Sequence, residues 1–145
     1  MAARKTLLIG LLLAVGACSP LLVDPLEQLR ASNKENLAKI SPGMTRMQVE
    51  SVMGHESAGG GLADVAFGRV QYLQARNPMR EETLKGGDGA EYLVLFYYTD
   101  VRSRDDKITD DELTPIALRD GKVAGVGYAF LGPRTAKYRD LTPRP

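Results

Sequence analysis

The stretch that most restricts the fold is Glu91-Tyr92-Leu93-Val94-Leu95-Phe96-Tyr97-Tyr98-Thr99, continuing to Val101. Successive strand residues point to opposite faces. One face therefore carries Tyr92, Val94, Phe96 and Tyr98, and the other Leu93, Leu95, Tyr97 and Thr99. With both faces apolar or aromatic, the segment is expected to be the central strand of a sheet, helices covering one face and the other partly open. Tyr92, Phe96, Tyr97, Tyr98 and, further on, Tyr128 are the candidate partner-binding residues, because aromatic anchors carry interface energy. Core packing or cross-strand pairing is the competing reading for each.

Two helices are expected before the sheet. Asp24-Pro25-Leu26-Glu27 reads as a helix start, with Asp as the cap and Pro where its missing N–H costs nothing. Leu26, Leu29, Leu37 and Ile40 then fall on one face as far as about Lys39, with Asn33 on that same face. Ser32 to Glu35 forms a second capping box, so the spacing allows a break and restart there. Ser41-Pro42-Gly43 stops the helix. Thr45 and Gln48 box a short second one, with Met44 and Val49 placed as a hydrophobic staple and Gly54 ending it. Eight or nine residues do not hold a helix alone, so this one needs a sheet to rest on.

His55 to Asp64, with Gly59-Gly60-Gly61, is expected to be a flexible loop, since no Gly-Lys-Ser/Thr follows to make it a phosphate cradle. Val65 to Ala75 fits neither helical nor strand periodicity. Met79 to Leu84 reads as a short strand, turned back by Gly86 to Gly89 into the central strand. The acidic connection Arg102 to Glu112 lacks the spacing of a calcium loop and reads as a solvated loop. Leu113 to Arg119 is a strand whose Pro115 suggests an edge or a bulge. Asp120-Gly121 turns it into a last strand, Lys122 to Leu131, where bare backbone at Gly125 and Gly127 lets a large neighbour lie close. Beyond it, residues 132–145 read as a disordered basic tail.

The N-terminus speaks to location. Arg4 and Lys5 precede the apolar run Leu7 to Val15, and Val15-Gly16-Ala17-Cys18 closes it. A spanning helix needs about 20 apolar residues, so this run is expected to target the chain rather than anchor it. Residues 1–17 are expected to be a lipoprotein signal peptide, Cys18 the acylated residue and residues 18–23 the lipid tether, leaving one α+β domain over residues 24–131. Two or more acyl chains on Cys18 hold a protein on a bilayer where one does not.

Composition narrows the function. The 19 basic and 18 acidic residues give no positive excess for nucleic acid. Cys18 is the only cysteine, so no internal disulfide forms, and with His55 the only histidine the usual metal and triad chemistries lack parts. An acid–base pair drawn from His55 with Glu56 or Asp64 would sit on a loop, too loose for catalysis. Neither a metal, another cofactor nor an enzymatic activity is expected.

Ile40-Ser41-Pro42-Gly43-Met44-Thr45, with Val49 and Met53-Gly54, resembles the signature of the SmpA/OmlA (BamE-like) envelope lipoproteins. The central strand, with Leu113-Thr114-Pro115 and Asp120-Gly121-Lys122-Val123, is closer to a branch of small lipoproteins with the same layout. The resemblance implies a fold like the β-lactamase inhibitor protein, two N-terminal helices packed on a small antiparallel sheet. It also implies a non-catalytic adaptor in outer-membrane assembly or integrity, held in the bacterial envelope by acylated Cys18 and binding an envelope protein. Ser19 after the lipidated Cys is similar to outer-membrane sorting with the body facing the periplasm. The alternative is an inhibitor or modulator of a periplasmic enzyme that inserts a loop such as Arg102 to Glu112.

Overall fold

A computed structural model of the chain describes residues 24–64, 69–103, 105 and 107–141, and the side chains of these except within residues 60–72. Helix α1 spans Pro25–Leu37 and α2 spans Arg46–Met53. Six strands follow: β1 Ser57–Asp64, β2 Arg69–Arg76, β3 Arg80–Lys85, β4 Glu91–Tyr98, β5 Leu113–Arg119 and β6 Lys122–Val126. A short helix α3, Tyr128–Leu131, and a 3-10 segment, Ala136–Leu141, end the described chain. The expected α+β class, helices with antiparallel sheet, is what forms.

The helices start where local chemistry says they must. Asp24 accepts a hydrogen bond from the Leu26 amide at 3.0 Å, freeing the first turn of one orphan donor. At α2 the capping box closes in both directions: the Gln48 amide donates to the Thr45 hydroxyl, and the Thr45 amide donates to Gln48 Oε1 at 2.8 Å. Asn33 does not break α1. It is fully buried and pairs reciprocally with buried Asn77, at 2.9 and 2.6 Å, while its amide also donates to the Tyr98 carbonyl. Asn77 in turn donates to the carbonyl of Met53 at 2.7 Å. One pair of side-chain amides thus ties α1, the end of α2, β4 and the segment before β3 together.

Strands β3, β4, β5 and β6 form one antiparallel sheet in chain order, and β1 and β2 form a separate ribbon. The glycine-bearing stretch expected to be a loop is strand: Gly59, Gly60 and Gly61 pair with Gln74, Leu73 and Tyr72. Pairing across the ribbon overrides the poor strand propensity of glycine. Pro115 lies in an inner strand, between β4 and β6. Its carbonyl accepts from Gly127, so its missing N–H falls on the β6 side and no bond to β4 is lost. The register shift of β5 comes later, between Ala117 and Leu118.

Both faces of the sheet are closed, where one was expected to be partly open. Val49 and Met53 of α2 cover Leu95, Tyr97, Ile116, Leu118 and Val123. Each such side chain contributes about 1.5–3 kcal/mol on burial, which is what holds a two-turn helix in place. The opposite face, Tyr92, Val94, Phe96 and Tyr98, packs against Leu26 and Leu29 of α1, Leu73 and Ala75 of β2, and Leu131 and Tyr138 near the C-terminus.

The last strand stops five residues before its expected end at Leu131. Gly127 takes φ +80°, which a residue with a side chain rarely adopts, and turns the chain into α3. Phe130 then folds back over β6, where a Cβ on Gly125 would meet its ring at 2.2 Å. Gly125 is therefore bare for the reason the sequence suggested, a large neighbour lying close, and that neighbour is the Phe130 ring. Nor is the segment from residue 132 to Leu141 a disordered tail. Thr135 and Tyr138 are buried, and the Arg134 carbonyl accepts a bond from the Gly87 amide at 2.9 Å. Residues 142–145 of that expected tail lie outside the described residues.

The borders of the sheet are guarded. The turn before α2 lies along β6, exchanging Gly43 N–H to Val123 carbonyl and Val123 N–H to Met44 carbonyl bonds. The β3 border carries Arg80, Glu81, Glu82 and Lys85. No helix among the described residues is long and apolar enough to cross a membrane.

Candidate functional site

The residues expected to anchor a partner are core. Phe96 and Tyr97 are 0% exposed, and Tyr92 and Tyr98 are buried with them. Tyr128 is half-buried in α3, not on a strand face, and its hydroxyl donates to the Asp110 carbonyl at 2.6 Å. The strand period identified which side chains share a face, but not that both faces would be roofed. Tyr97 carries a hydroxyl with no hydrogen-bond partner among the described residues, and burial pushes it well above the usual phenol range. His55 and Glu56 are exposed just before β1, and among the described residues no side chain gathers them into a rigid constellation. Cys18 and the expected tether lie outside the described residues, as does the side chain of Asp64.

What the fold does gather is a polar notch at the β3 border that the sequence reading missed. Alternation along β3 sends Arg80 and Glu82 to the same face, over Phe96. The Arg80 guanidinium lies 4.2 Å from the centre of the Phe96 ring, a cation–π arrangement. It also pairs with Asp110 at 2.6 Å and donates to the Tyr138 hydroxyl at 2.9 Å. Its Nε is buried without a hydrogen bond, 4.0 Å from Glu82 Oε2. The Tyr138 hydroxyl donates to Glu82 Oε2 at 2.6 Å, and Lys137 pairs with the other oxygen of the same carboxylate. The Tyr138 ring leans on Phe96 and Tyr128, with centres 5.5 and 5.7 Å apart.

Electrostatics in the notch are set by those contacts. Burial raises the Glu82 carboxyl, but the hydrogen bonds from Lys137 and Tyr138 outweigh it and hold the group below the ordinary carboxylate range. Burial, followed by the Glu82 bond, raises the Tyr138 phenol. The sequence held one usable signal for this site, the run of charged residues Arg80, Glu81 and Glu82 within the expected strand Met79 to Leu84. It held none for Tyr138, whose surroundings of proline and arginine look like solvated tail.

The acidic connection is an organised loop built around Glu112. That carboxylate is 2% exposed and accepts from the amides of Arg102, Ser103 and Thr109, at 2.7, 3.2 and 3.0 Å. Three backbone donors converge on this buried carboxylate. No cluster among the described residues has the ligands for a metal ion. Between this loop and the start of α1 lies a cleft of about 340 Å³, floored by Leu26, Leu73 and Tyr98.

A central antiparallel sheet roofed on both faces, with a polar notch at its β3 border, defines a small α+β domain. The chain belongs to the family described as "Protein of unknown function (DUF3192)", whose pattern matches residues 23–131. No curated protein and no solved structure matches it.

Proposed function

We propose that the chain is a lipid-anchored protein of the bacterial envelope that binds a protein partner without transforming it, in the manner of the SmpA/OmlA (BamE-like) lipoproteins it resembles. Acylated Cys18 holds it on the outer membrane facing the periplasm, and the partner belongs to the assembly or maintenance of that membrane. The observation carrying this reading is the spacing at the N-terminus: Cys18 stands six residues before Asp24, the cap of α1. Six residues span about 20 Å at most, so an acyl chain on Cys18 keeps the folded body against the bilayer surface. With both sheet faces closed, the contact surface consists of borders and loops.

Detergent phase partitioning of the full chain, expressed with its leader, tests the anchorage. The wild type is expected in the detergent phase and Cys18→Ser in the aqueous phase. A wild-type chain that stays aqueous overturns the reading.

The loop ordered by Glu112 favours a second reading, an inhibitor of a periplasmic enzyme. A loop already held at Arg102, Ser103 and Thr109 loses less entropy on entering a cleft, which is how pre-organised inhibitors gain affinity. Capture by cross-linking separates the two, yielding a soluble hydrolase for an inhibitor and an envelope assembly component for an adaptor.

A further inference from the structure

The Tyr138 side chain behaves as a ligand held by the rest of the domain. Its ring is 1% exposed, and its hydroxyl both donates to Glu82 and accepts from Arg80. Lys137, one residue earlier, takes the second oxygen of Glu82, and its ammonium lies 5.2 Å from the Tyr138 ring centre. A single carboxylate therefore reads two adjacent side chains at once, a cation and a phenol. Phenylalanine would satisfy the ring contacts with Phe96 and Tyr128 but would leave the Arg80 and Glu82 bonds unmade. Sites built to hydrogen-bond a hydroxyl reject the analogue lacking it strongly.

Occupant and notch are separable parts of the chain. Arg80, Glu82, Phe96, Asp110 and Tyr128 all lie inside the family match, which ends at residue 131, and Lys137 and Tyr138 lie beyond it. We propose that the notch of Arg80, Glu82, Phe96 and Tyr128 is a recognition site for a basic residue followed by tyrosine, filled in cis by Lys137 and Tyr138 and open to the same pair on a partner protein. This rests on the protein-binding function above and supplies its partner chemistry. The cis segment competes at an effective concentration in the millimolar range typical of short tethers. A partner therefore enters by displacing it, and the chain discriminates against weak ligands.

The test uses the full chain carrying Cys18→Ser, with a blocked synthetic peptide spanning Thr135–Leu141 as probe and fluorescence anisotropy as readout. The Tyr138→Ala variant is expected to bind the peptide at least tenfold more tightly than the chain with Tyr138 intact. Glu82→Gln in that background, or phenylalanine at the peptide's tyrosine, is expected to cost at least tenfold, the loss of one hydrogen bond to a charged group. If Tyr138→Ala does not fold, Tyr138→Phe, which keeps the ring and loses both hydroxyl bonds, is expected to admit the peptide at an intermediate affinity.

A folded opened variant that ignores the peptide overturns the proposal, as does binding indifferent to Glu82→Gln or to the tyrosine. An envelope partner retained equally by Tyr138→Ala and by the same variant also carrying Glu82→Gln overturns the notch while leaving the adaptor reading standing. Failed detergent partitioning with intact peptide recognition does the reverse.

Discussion

At the scale of single residues, the buried polar groups separate into those with partners and those without. Asn33 and Asn77 satisfy each other and two backbone carbonyls, so their burial is compensated. Tyr97 is the opposite case, a phenol sealed under α2 with its hydroxyl unpaired among the described residues. An unmade bond at a buried hydroxyl costs about 1–3 kcal/mol. Tyr97→Phe, which removes the oxygen and keeps the ring, is therefore expected to leave stability unchanged or raise it by about 1 kcal/mol. A shift of the urea midpoint to higher concentration at unchanged slope checks this. The sequence marked Asn33 as an anomaly on an apolar stripe. Its partner could not be read, because Asn77 is distant along the chain and only the fold brings it close.

Among the elements, those fixed by contacts within a few residues were legible. The caps at Asp24 and Thr45 and the hairpin at Asp120-Gly121, where both residues take positive φ, are local chemistry. The C-terminal segment was not, because it is held by distant side chains rather than by a repeating pattern. The final strand was drawn too long because apolar alternation continues past Gly127, whose backbone conformation periodicity does not report.

That docked segment has a pH dependence of definite sign. Glu82 is held below its ordinary value, about 4.3 for a free glutamate, by Lys137 and Tyr138, with Arg80 adding to the same effect and Asp110 facing it through Arg80. A depressed carboxylate contributes stability that is present above the unfolded value and lost as pH falls through the folded one. The segment is therefore expected to loosen as pH falls below the free-glutamate value, read as faster amide exchange at Tyr138 and Arg139, and Glu82→Gln is expected to abolish the acid step.

Taken as a whole molecule, the class was readable because the central strand, apolar on both faces, demanded helices over one of them. The identity of the second roof was not, since it combines α1, the β1–β2 ribbon and the C-terminal segment, three pieces far apart in the chain. Removing residues 132–145 takes Tyr138 off Phe96. Loss of a buried aromatic costs about 3–5 kcal/mol, so the truncated chain is expected to unfold at markedly lower urea and to bind a hydrophobic dye that the intact chain excludes. Unchanged unfolding and no dye binding would show that the segment adds nothing to the core.

The guarded borders of the four-stranded sheet have a consequence for crowding. Chains confined to a surface meet edge to edge far more often than chains in solution, and an open strand margin invites them to zip into fibres. Here the turn at Met44 already occupies one margin and mixed charge lines the other. Copies of this domain crowded together can therefore jostle at high density and still separate as individual molecules.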